Sequence, residues 1–96
     1  MAMTKSTTIV WESKTAWQNP QSLEATLAKL QEMQAAGKTD MSYDIEDPET
    51  ELIWTRFWLD QAAAEEFIAF RRAEAESEGL GSAIISTSIG DYTPPV

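Results

Sequence analysis

A chain of 96 residues with 16 Asp and Glu against 7 Lys and Arg carries a formal charge of -9, and it contains neither His nor Cys. The charge disfavours nucleic acid and anionic membranes as partners, because both are held through Lys and Arg. The missing residue types exclude disulfides, thiolate nucleophiles, zinc ribbons and imidazole proton shuttles.

Hydrophobic content of 43% with four Trp, three Phe and two Tyr is enough apolar surface to offset chain entropy, so a single folded domain over 1–96 is expected, with a core from about 7 to 92. The first 14 residues lack a signal-peptide core, and nowhere do about 18 apolar residues run together. Together with the absence of Cys, this reads as a cytoplasmic protein.

In chain order, Thr7, Thr8, Ile9, Val10, Trp11 and Thr15 favour a first strand over 7–17. Asn19 and Pro20 then supply a cap and a first helical residue, Leu23, Leu27, Leu30 and Met33 follow at helical spacing, and Gly37 ends the helix. Met41, Tyr43 and Ile45 alternate with Ser42, Asp44 and Glu46, the period of a half-buried second strand, and 47–50 reads as a turn. The segment 51–59, ELIWTRFWL, is apolar on both alternating faces, which marks a central strand covered on both sides. Asp60 caps a second helix with Ala63, Ala64, Phe67, Ile68 and Phe70 as its apolar stripe, and Gly79-Leu80 fits a Schellman-type stop. A last strand over 82–92 precedes a Pro-rich tail.

The order β-α-β-β-α-β predicts an α+β domain of the ferredoxin-like split βαβ type, a four-stranded antiparallel sheet with two helices on one face. If Ile53, Phe57 and Leu59 pack under the helices, then Leu52, Trp54, Arg56 and Trp58 face away from them. The opposite assignment exposes Ile53 and Phe57 instead. Either way an apolar sheet face lacks cover, and a homodimer through that face is the expectation.

The element order, the chain length and the segment 56–67 (RFWLDQAAAEEF) resemble the dimeric α+β barrel superfamily, the group containing the antibiotic-biosynthesis-monooxygenase-like domains. There a strand ending in an aromatic residue leads into a capped Ala/Glu-rich helix bearing a Phe. The resemblance implies two sheets paired face to face. It also implies a choice among cofactor-independent monooxygenases, haem-degrading enzymes, isomerases and members without known activity. The haem-degrading branch depends on a His that this chain lacks. The monooxygenases use Asn, Trp and Tyr; the single Asn19 already serves as a helix cap, so no catalytic residue carries over.

The candidate ligand or interface residues are Trp54, Arg56, Trp58, Glu12 and Tyr43. Arg56 between two Trp suits a carboxylate or an aromatic ligand, or else a salt bridge with Glu12 or Asp44. Glu12 suits a general base if buried opposite the Trp residues, and an exposed or ion-paired carboxylate otherwise. The acidic stretch 40–51 lacks the register of a calcium loop, so no metal and no cofactor are expected. Aromatic residues on central strands of this topology also suit RNA, but the surrounding acids oppose it. The expected function is therefore a small dimeric accessory or protein-interaction module without catalytic activity. The alternative is a cofactor-independent small-molecule enzyme or ligand binder, monooxygenase-like, with a Trp-lined pocket.

Overall fold

Thr7, Ile9 and Trp11 are buried and the residues between them only half-buried, the two-residue period of a strand with one face in the core. The computed structural model, which describes residues 3–13, 20–39, 45–46 and 52–93, places this strand, β1 (Lys5–Trp11), at the centre of an antiparallel sheet. On one side lies β2 (Ile53–Trp58), with Thr7 opposite Arg56 and Ile9 opposite Trp54. On the other lies β3 (Ile84–Asp91), with Thr7 opposite Ile89 and Ile9 opposite Thr87. Ile45–Glu46 adds a two-residue antiparallel rung to the far edge of β2.

The expectation of four full strands is thus corrected: three long strands run in the order β2-β1-β3, and among the described residues the fourth is reduced to the two-residue Ile45–Glu46 rung at the outer edge of β2. Of the second strand expected around 41–46, only the Ile45–Glu46 rung is seen, and 41–44 lie outside the described residues. Alternation reports which side chains prefer to be wet; it does not report how many residues pair. Of the first strand expected over 7–17 the ladder runs from Lys5 to Trp11, and 14–17 lie outside the described residues. At Trp11 the ladder shifts: Trp11 pairs with Ile84 and Val10 with Ser86, which leaves Ile85 as the extra residue of a bulge. Glu12 N–H then donates to the carbonyl of Ala83, in a short 3₁₀ turn (Gly81–Ala83) that occupies the start of the expected last strand.

The helices begin and end as local chemistry dictates. Helix α1 (Pro20–Ala35) opens on Pro20, whose missing N–H costs nothing at a first helical position. At its end Gly37 adopts φ 76°, its N–H donates to Gln34 and that of Lys38 to Met33. Helix α2 (Gln61–Ser77) is capped by Asp60, whose carboxylate accepts from Ala63 N–H at 2.9 Å. It ends identically to α1: Gly79 at φ 74° donates to Glu76, and Leu80 to Ala75. Both endings are Schellman motifs, in which a left-handed glycine lets two otherwise orphaned carbonyls be satisfied.

Helix α2 lies across the sheet and α1 packs beside it, with Glu66 of α2 bridging Lys29 at 2.9 Å and Lys38 at 2.8 Å. Both lysines hold the Glu66 carboxyl below its usual range, chiefly through the hydrogen bond from Lys38. Ile9, Trp11, Leu30, Met33, Trp58, Ala63, Ala64, Phe67, Ala75 and Ile84 form the core. The alanines bring α2 close to the sheet, and Trp58 and Phe67 fill the space, with ring centroids 4.6 Å apart. Trp58 is 0% exposed, and its indole N–H donates to Thr7 Oγ1 at 2.9 Å. On α1 the buried stripe runs Thr26, Leu30, Met33, while Leu27 is exposed. Among the described residues, no helix is long and apolar enough to cross a membrane.

The two faces of β2 are assigned opposite to the first expectation. Trp54, Arg56 and Trp58 share the face of Ile9 and Thr7, beneath the helices, and Ile53, Thr55 and Phe57 point the other way. Both faces of ELIWTRFWL are apolar, so periodicity leaves the choice open; the larger side chains go where two helices can cover them.

Candidate functional site

Trp54 and Arg56, two residues apart on β2, both point toward the helices, and there they border a cavity of about 80 Å³. Strand β1 supplies Thr7, Ile9 and Trp11 to the same cavity. Phe67 and Arg71 come from α2, one helical turn apart, and Thr26 comes from α1. The site therefore draws on every major element except β3, and the helix–sheet packing that forms the core also shapes it.

Its two cations rest on aromatic rings. The Arg56 guanidinium lies 5.4 Å from the centroid of Trp54 and 5.6 Å from that of Phe67, and Arg71 lies 4.9 Å from Trp11. Such stacking stabilises a desolvated cation through the negative face of the ring. Arg71 is 5% exposed and donates from Nη1 to Thr26 Oγ1, tying α2 to α1. Burial pushes the Arg71 guanidinium down to about 10, the like charge of Arg56 adds to that, and Glu74 opposes both. The group stays protonated at neutral pH, but it occupies a region of positive potential inside an acidic chain. The described lining offers guanidinium donors, hydroxyls and aromatic walls, groups that bind and orient a ligand.

Of the residues singled out from sequence, Trp54 and Arg56 meet in this cavity. Trp58 does not: fully enclosed under Phe67, it belongs to the core and is out of reach of any partner. Glu12 is exposed just past the end of β1, so the desolvated base opposite the Trp residues is not formed. Tyr43 and Asp44 lie outside the described residues. Arg71 and Thr26 were not legible as site residues from charge and polarity alone. Their signal is positional: Arg71 falls between Phe67 and Ala75 on the stripe of α2, and Thr26 lies four residues before Leu30 on α1. Among the described residues no group of three or more His, Cys, Asp or Glu is placed to hold a metal ion.

The other sheet face is a different surface. By register it carries Ser6, Thr8 and Val10 of β1, Ile53, Thr55 and Phe57 of β2, and Ser86 and Ser88 of β3. None of these is charged, Ile53 is 36% exposed, and the bulge residue Ile85 beside them is 64% exposed. Phe57 is buried under Tyr92, with ring centroids 4.2 Å apart.

No protein-family model matches the chain, and no curated protein matches it. The chain is similar to the solution structure of a hypothetical Arabidopsis thaliana protein, with 14% identity and a TM-score of 0.48 over 100% of this chain and 91% of that one.

Proposed function

We propose that the chain is a small accessory domain that acts as a homodimer, two copies meeting through the open faces of their sheets. The observation that carries this reading is the uncharged strip from Ser6 to Val10, Ile53 to Phe57 and Ser86 to Ser88. Copies that each carry -9 repel one another, so self-association requires a surface from which charge is excluded. This face meets that requirement, and exposed Ile53 and Ile85 give it apolar area to bury. The likeness of 56–67 to the dimeric α+β barrel superfamily supports the same arrangement. The reading as a cofactor-independent enzyme is less well supported. It asks for a pocket of several hundred Å³ beside a proton acceptor, whereas the cavity is about 80 Å³ and bordered by guanidinium, hydroxyl and aromatic groups.

Sedimentation equilibrium tests the proposal. The native chain should sediment as a dimer at micromolar concentration, and Thr8→Glu, which sets two like charges against each other at the centre of the interface, should return it to monomer with unchanged circular dichroism. A native chain that is monomeric throughout would sink the proposal, as would a Thr8→Glu variant that stays dimeric.

A further inference from the structure

We infer that the two-fold axis of the homodimer runs along β1, so that β2 of each copy lies over β3 of the other and Ile53 seats in a shallow trough that small residues leave on the partner's sheet. Resting on the face-to-face dimer, this arrangement names the subsite on β3 and its occupant, a side chain from a second copy.

By register the open face is a grid, with Thr55, Thr8 and Ser88 as its middle row, Ile53, Val10 and Ser86 on one side of that row and Phe57, Ser6 and Gly90 on the other. Strand by strand the grid is lopsided. β2 contributes an isoleucine, a threonine and a phenylalanine, the last with the Tyr92 ring set against it at 4.2 Å between centroids. β3 contributes Ser86, Ser88 and Gly90, all exposed. The β2 side therefore stands higher above the sheet than the β3 side, and Ile85, on the bulge next to Ser86, gives the low side one apolar wall.

Two such faces related by a two-fold axis can align their strands in two ways. An axis crosswise to the strands lays β2 on β2 and β3 on β3. Ile53 then meets the partner's pair of Phe57 and Tyr92, high on high, while the serines and glycines of the two β3 strands face each other across a gap that forfeits contacts. It also carries Ile85 to the end of β3 that bears Asp91, whose carboxylate is 89% exposed. An axis along β1 lays high on low instead. Ile53 enters the trough beside Ile85, and symmetry makes the same contact twice. Among the described residues these are the two large apolar side chains that the sheet leaves exposed, and each covers the other.

Cysteine cross-linking of the full chain, which has no cysteine of its own, tests the axis with the middle row as ruler. Thr55 and Ser88 stand two strands apart, about 9.5 Å. Facing residues of packed sheets can be bridged, as the inter-sheet disulfide of immunoglobulin domains shows, whereas Cα atoms more than about 7 Å apart cannot. On oxidation, an equimolar mixture of Thr55→Cys and Ser88→Cys chains should form linked heterodimer at least about tenfold faster than either variant alone forms linked homodimer. The axis is overturned if each variant bridges to itself instead, or if the mixture forms no bridge. Thr8→Cys lies at the axis in both alignments and should bridge to itself. A bridge at 8 without one between 55 and 88 refutes this axis and leaves the face-to-face dimer standing; no bridge in any sample, with native chain that sediments as monomer, removes both.

Discussion

Thr7→Val tests the reading of the core most directly. Thr7 and Trp58 are almost wholly enclosed, and the Trp58 indole N–H donates to Thr7 Oγ1 at 2.9 Å. Valine keeps the shape and the branching at Cβ but removes the acceptor, leaving a buried donor unsatisfied at about 1–3 kcal/mol. For a chain of this size each kcal/mol moves Tm by roughly 4–8 °C, so the midpoint should fall by at least about 4 °C. Thermal and urea unfolding followed by far-ultraviolet circular dichroism measure this, with an unchanged urea slope showing that stability alone has moved. The companion variant Trp58→Phe removes the donor. In that background Thr7→Val should be close to neutral, because neither polar partner remains, and the cycle should return a coupling of about 1 kcal/mol or more. The reasoning is refuted if Thr7→Val costs the same in both backgrounds.

Other features give separate expectations. Asp60→Ala should lose about 0.5–2 kcal/mol in urea unfolding, because the Ala63 N–H at the start of α2 loses its acceptor. Gly79→Ala should cost roughly 1–2 kcal/mol through the left-handed backbone alone, since a Cβ there meets nothing within 4 Å; an unchanged unfolding midpoint would contradict the Schellman assignment. Glu66→Gln should cost about 0.5 kcal/mol at neutral pH, a value kept small by the partial exposure of the bridge. The Glu66 carboxyl titrates lower in the folded chain than in the unfolded one, so its contribution is present above the unfolded value of 4.5 and fades as pH falls through the lower folded value. Native and Glu66→Gln unfolding curves should therefore converge on acidification; a gap that widens would reverse the sign of the assignment.

What could be read from sequence divides by physical range. Helix ends are local: Asp60, Gly37 and Gly79 act on backbone groups within a few residues, and all three do in the structure what their chemistry predicts. Strand extent depends on a partner far along the chain. The ladder of β1 shifts where the bulge sets Trp11 against Ile84, a pairing far along the chain that no local propensity reports. The facing of β2 is harder still, because Trp54 and Trp58 on one side and Ile53 and Phe57 on the other satisfy the same alternation; only pairing with Thr7 and Ile9 decides it. The site was half visible. Arg56 stands out between two tryptophans, whereas Arg71 in FRRAEAE looks like one more solvated charge until its spacing from Phe67 and Ala75 is weighed above its polarity.

The inward facing of β2 also decides what light emitted by this protein reports. Trp11 and Trp58 are buried in the core and Trp54 borders the cavity, while the open sheet face, over its described residues, carries no indole. Filling the cavity alters the surroundings of Trp54 and Trp11 and so their emission; joining two sheets leaves all three untouched. For these three of the four tryptophans, emission therefore follows the cavity and not association; Trp17 lies outside the described residues.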